Sequence, residues 1–243
     1  IAQIFSGEAD VSSVCLNFIG LCNCKILALS IYLENIGTVN IQMKRMPKYH
    51  HGDLRNTLLA IATELLAEDG VQALSLRKIA QRAGVSHNAP YMHFPDKDAV
   101  LAAIAEEGFR LLAVDVESAI SQVDDNIRQQ LIAASQAYVK FALNHSSHLQ
   151  VMFRPTDVAK YPRLVEVSQS SLNRLFELVQ SGQEKGDLKS ADTHEMTKTI
   201  WAMVHGVAAI SVAYKPTPLL PEKTSVEDVV STFITFLLDG LAT

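Results

Sequence analysis

The sequence predicts an all-α protein, with an N-terminal three-helix helix-turn-helix domain followed by a larger C-terminal helical domain. Three observations carry this. Apolar residues recur at helical spacing from Leu54 to Leu241, most stripes open on a capping residue and close on glycine or proline, and no stretch alternates as a strand would.

The first helix follows Asp53 as cap. Leu54, Leu58, Ile61, Ala62, Leu65 and Leu66 form its stripe, and Asp69-Gly70 stops it. Ser75 caps a second helix through Ala83, and Gly84-Val85-Ser86 makes a tight turn. Ser86 or His87 opens a short third helix through His93, broken by Phe94-Pro95-Asp96. Asp96 caps a long fourth helix to about Ile120, with Val100, Leu101, Ile104, Gly108, Leu111 and Leu112 on one side. A helix over 127–143 and a short one around 149–153 follow. Pro162 suits a first helical position. The helix it opens carries Leu164, Ser168, Leu172, Leu175, Phe176 and Val179, and Gly182 and Gly186 end it. Asp192 with Glu195 resembles a capping box and starts an apolar helix to Tyr214. A linker over 215–224 with three prolines leads to the last helix, opened by Ser225 with Asp228 and carrying Val226, Val229, Val230, Phe233, Leu237 and Leu241. That makes about nine helices.

Composition excludes several classes. With 48% hydrophobic residues and a net charge of -5 over 243 residues, the chain has enough apolar mass for a core and is not disordered throughout. Its 11 Gly and 8 Pro show no fibrous period. The cysteines are Cys15, Cys22 and Cys24, an odd number confined to the start, so a disulfide scaffold is excluded and a reducing, cytoplasmic setting is expected. Residues 1–45 pattern with nothing else. Val11 to Leu33 is apolar but interrupted by Asn17, Asn23 and Lys25, and Glu8 and Asp10 suit no signal peptide. This segment reads as a non-native or disordered leader ahead of Met43 or Met46, and no membrane association is expected. No GxSxG, P-loop, GxGxxG or HExxH is present, so neither catalytic residues nor a cofactor are expected. His50-His51 and His145-x-x-His148 lack partners at metal-site spacing and read as ordinary histidines, with no metal expected.

Charge is unevenly spread. Residues 44–98 carry eight Lys/Arg against six acids and half of the eight histidines, whereas residues 99–243 carry 12 Lys/Arg against 17 acids. A mildly basic head and an acidic body suggest two tasks. The informative stretch is SLRKIAQRAGVSHNAPYMHF, residues 75–94. Ala80 is small where two helices approach, Gly84 allows the turn, and Val85 plugs it. Such a unit projects its second helix as a ridge that fits the DNA major groove. Arg77, Lys78 and Arg82 on the first helix, and His87, Asn88, Tyr91 and His93 on the second, are more hydrogen-bonding side chains than a plain helical hairpin needs.

LLAEDG (65–70), SLRKIAQRAGVS (75–86) and YMHFPDKDAVLAAI (91–104) make residues 48–112 resemble the DNA-binding domain of the TetR family of bacterial transcriptional regulators. YHHGDLR (49–55) and WAMVHGVA (201–208) are similar to a subgroup with a Trp-His-Gly-type C-terminal domain. The resemblance implies a helix-turn-helix domain over 46–95 and a C-terminal ligand-binding and dimerisation domain over 96–243, with the fourth helix as connector. It implies a homodimer on a near-palindromic double-stranded operator, acting as a repressor that a small-molecule effector releases. Tyr91, His93 and Lys97 would contact phosphates, His87 and Asn88 base edges, and Arg77 either. Lys48, with Lys44, Arg45, His50 and His51, would form a basic arm. Pro90 disturbs the recognition helix unless that helix begins near His87.

Tyr138, Phe141, Met152, Phe153, Phe176 and Trp201 have the character of an effector pocket, with His205 as a polar group among them. The alternative is a helical small-molecule-binding or interaction module that never touches DNA. Burial of both Tyr91 and Lys97 would favour it.

Overall fold

In a computed structural model, residues 53–154, 157–213 and 225–241 are described. The leader, Lys48 with the rest of the basic arm, Tyr214 and the proline linker lie outside them. The described residues belong to one compact unit, residues 50–243.

Eight α-helices and two 3-10 turns are found among the described residues, and no strand. α1 (Leu54–Ala73) and α2 (Leu76–Ala83) precede the 3-10 turn Pro90–Met92. α3 (Lys97–Ile120), α4 (Ile127–Asn144), α5 (Ser146–Met152), the 3-10 turn Val158–Lys160, α6 (Pro162–Lys185), α7 (Thr193–Ala213) and α8 (Val226–Leu241) follow. The expected caps of four helices form, and a fifth is found at Asn126. Ser75 Oγ accepts from Lys78 N at 3.2 Å, Asp96 Oδ1 from Ala99 N at 2.8 Å, Asp192 Oδ1 from Glu195 N at 2.9 Å, and Ser225 Oγ from Asp228 N at 3.0 Å. Asn126 does the same for Gln129 N, opening α4. Each satisfies an amide that the first turn leaves without a partner.

Four expectations need correction. Asp53 precedes α1 but makes no side-chain cap; its carbonyl instead receives the Thr57 amide and hydroxyl. Gly70 does break α1, with φ +74°, yet one more helical turn follows to Ala73. Gly182 lies inside α6 and does not end it. It is there because a Cβ would stand 2.7 Å from Leu188 Cδ1 and 2.9 Å from Ile127 Cγ2. Gly186, at φ +79°, is the true cap: the amides of Asp187 and Leu188 return to the Gly182 carbonyl. The third helix is replaced by turns around Pro90. Proline has no amide to donate to the Ser86 carbonyl, so the bonds shorten to three-residue steps, from Ala89 to Ser86 and Tyr91 to Asn88.

The core is continuous from Leu58 in α1 through Ile104 in α3, Leu131 and Phe141 in α4, and Ile200 in α7 to Leu238 in α8. The connector α3 packs against α1 at one end and against α4, α5 and α6 along its length. Gly108 permits a close approach of α5, since a Cβ there would meet Met152 Sδ at 2.7 Å and His148 Cβ at 3.0 Å. Leu111, expected inside, is partly exposed.

Candidate nucleic-acid interface and ligand cavity

The Gly84 backbone, at φ +67° and ψ +28°, reverses the chain after α2, a conformation that glycine adopts without a Cβ clash. The Val85 amide closes the turn on the Ala80 carbonyl at 3.1 Å. Pro90 and Phe94 anchor the segment that follows in the core, and the Arg55 guanidinium lies 5.3 Å from the Phe94 ring. With those two residues buried, His87, Asn88, Tyr91, Met92 and His93 are all exposed. The His87 and Tyr91 rings stack at 5.8 Å, which orients Tyr91. Met92 is 84% exposed and was not singled out in the sequence; its position between Tyr91 and His93 was the available signal.

The cations behind this edge divide into two groups. Arg82 forms a two-pronged pair with Glu68, at 3.1 and 2.7 Å, and Lys78 reaches Asp69 at 3.5 Å. The hydrogen bond from Arg82 holds the Glu68 carboxyl below its ordinary range. These two cations fasten α2 to α1. Arg77 is exposed and makes no ion pair among the described residues. Lys97 is half-buried, its ammonium donating to the Gln72 carbonyl at 3.4 Å. Neither Tyr91 nor Lys97 is buried.

A cavity of about 660 Å³ lies in the C-terminal body between α3, α4, α5, α6 and α7. Tyr138, Met152, Phe153 and Trp201 line it as the sequence suggests, with Phe109, Leu112, Ile200 and Val204. Phe109 was missed; it follows Gly108 on α3, and its ring meets Phe153 edge-on at 5.7 Å. Phe141 is elsewhere, fully buried and stacked on His145 at 4.9 Å. Phe176 packs against His194 at 4.6 Å, also off the wall. His205 stands behind the wall. Its Nδ1 shares a 2.9 Å hydrogen bond with the Tyr138 hydroxyl, and its ring stacks on Trp201 at 5.2 Å. Burial lowers the His205 pKa and raises that of Tyr138, where a Trp201 hydrogen bond acts the other way. Both groups are therefore neutral at neutral pH. Phe153 and His205 also border an open groove between α1, α5 and α7, so one aromatic group touches both the cavity and the first helix's surroundings.

Residues 58–104 match the family model for bacterial regulatory proteins of the tetR family, and residues 131–233 match that for the tetracyclin repressor-like C-terminal domain. The class A tetracycline repressor from transposon 1721 of Escherichia coli is 39% identical over 83 residues, which are 34% of this chain and 37% of that protein. The fatty acid metabolism regulator protein of Bacillus subtilis is 22% identical over 173 residues, 66% of this chain and 86% of that one. A solved structure of a protein of unknown function from Rhodococcus sp. RHA1 superimposes with a TM-score of 0.70 at 35% identity, covering 80% of this chain and 98% of that chain. The match to the tetracycline repressor thus spans little more than a third of its length.

Proposed function

Because this chain belongs to the TetR family of bacterial regulatory proteins, we propose that it is a sequence-specific DNA-binding repressor, released by a small-molecule effector. The observation that carries the reading is the exposed edge after Gly84. Pro90 and Phe94 anchor it inside, and His87, Asn88, Tyr91 and His93 face out. Asn88 and His87 then read base edges, and Tyr91, His93, Lys97 and Arg77 hold phosphates, with Lys48 and its neighbours as an arm along the backbone. The domain over 46–95 is the reading head, and residues 96–243 are the regulatory body. No catalytic step is assigned, and the protein acts in the cytoplasm.

The cavity in the body is the effector site. Its volume falls in the range of small-molecule pockets, and its wall is mainly apolar. A relative named for fatty acid metabolism supports a lipophilic effector. A homodimer follows from one recognition segment reading too few base pairs to specify a site. Selection of bound DNA from a random pool by the full chain tests the proposal. A near-palindrome with half-sites about 34–36 Å apart, or a multiple, is expected. Retention of no sequence, with the cavity still binding small molecules, would establish the DNA-independent module instead.

A further inference from the structure

The charged side chains of the cavity wall are already paired within the protein. The Arg174 guanidinium donates from Nε to Glu117 at 2.9 Å and from an Nη to Glu177 at 3.4 Å, and the Lys198 ammonium donates to Glu195 at 2.7 Å. The hydroxyls are engaged in the same way. Ser135 donates to the Leu131 carbonyl at 2.6 Å, Ser168 to Val165 at 2.9 Å, Ser171 to Val167 at 3.1 Å, and Tyr138 is paired with His205. The Trp201 ring is stacked on His205 at 5.2 Å. Gln169 and Ser170 make no such bond among the described residues, and both sit on the exposed rim.

We propose that the cavity selects a neutral apolar ligand, a hydrocarbon chain or ring system ending in an ester, alcohol or ketone, and that Glu117 enforces the selection by occupying Arg174. This rests on the reading of the cavity as the effector site. A carboxylate entering the cavity gives up its water and meets no unpaired hydroxyl and no unpaired cation inside. At the rim it faces the Glu117 carboxylate beside the one half-buried cation. Lys198 is well exposed, and a solvent-screened ammonium compensates little. A neutral chain meets none of these costs and gains with every methylene it buries.

The test uses the full chain and the fluorescence of Trp201, the only tryptophan and part of the cavity wall. Methyl esters of increasing chain length are titrated beside the matching free carboxylates, below their micelle concentrations and at a pH where the acids are ionised. Ester affinity should rise about fourfold per methylene. The carboxylate of equal length should bind at least about tenfold more weakly. Glu117→Gln should recover about that tenfold for the carboxylate, because the Nε of Arg174 then loses its carboxylate partner and only the longer Glu177 contact remains, and change the ester by less than about twofold. Glu117 is exposed, so the variant keeps its fold. A carboxylate that binds the native chain as tightly as its ester overturns the proposal. So does a ratio unchanged in Glu117→Gln, or esters that fail to bind up to their solubility. None of these outcomes alters the DNA selection above, which uses no ligand.

Discussion

Lys97 holds the Gln72 carbonyl at 3.4 Å, a weak contact for a full charge, and a phosphate oxygen offers that ammonium a stronger partner. Lys97→Ala is therefore expected to weaken binding to every DNA sequence alike and to lower the salt dependence of log K by about one. Asn88→Ala is expected to relax sequence preference at one base position, by about 1–3 kcal/mol. Titrations of matched and mismatched sites at several salt concentrations separate the two. A Lys97→Ala variant with altered preference and an intact salt slope would reverse the assignment. His148 adds a pH dependence. Burial lowers its pKa, against the pull of Glu107 at 3.4 Å. The unfolded chain then takes up a proton more readily than the folded one, so stability is complete above the ordinary histidine value and falls as pH drops below it. Thermal melts across mildly acidic pH should show that fall, and His148→Gln should make it shallower, with His205, whose pKa burial also lowers, contributing the remainder. The exposed edge proposed to face DNA was grouped by the sequence because its residues sit on one short segment. The pairs of Arg82 with Glu68 and Lys78 with Asp69 were not, because their partners lie 14 and nine residues away on another helix.

Helix boundaries were most legible where a cap and an apolar stripe agree. Asp96 and Ile120 bracket α3, and Ser225 opens α8, as the pattern requires. The reading failed where one residue has two meanings. Gly182 reads as a stop, yet its lack of a Cβ serves the packing of α6 against Ile127 and Leu188. Gly182→Ala should gain about 1 kcal/mol of helix propensity and lose about 1–3 kcal/mol by overpacking, a net loss of up to about 2 kcal/mol. Gly240, with nothing within 4 Å of its missing Cβ, is the control, and Gly240→Ala should leave the melting temperature unchanged or raised. Equal melting temperatures for the two variants would show that α6 can shift away from Leu188 at no cost. Pro90 is the other case: it turned an expected helix into a chain of three-residue turns, and the same residues stayed exposed.

Across the whole molecule, α7 and α8 keep apolar side chains outside: Ile210, Phe233 and Phe236 are 41%, 37% and 72% exposed. By length and composition α7 could cross a membrane, but Ile200, Val204 and Ala208 on its inner face belong to the core. A second copy would cover the outer face in a two-fold four-helix contact. Phe236→Glu should give a monomer by light scattering and lose operator affinity. The cavity-lining residues were only half legible, since aromatic character does not say whether a ring faces the core, as Phe141 does, or a cavity, as Trp201 does. α3 starts at the head with Lys97 and forms the cavity wall from Phe109 to Glu117, while α5 packs on α1 and ends at Met152, on the same wall. A ligand can move this arrangement only by binding one spacing of the two heads better than another. A coupling of about 1–3 kcal/mol would weaken operator binding about 5- to 150-fold. Reciprocity then requires operator DNA to weaken the same ligand by the same factor, which Trp201 titrations with and without operator measure directly. Tight ligand binding with unchanged operator affinity would remove the coupling and leave two independent sites on one chain.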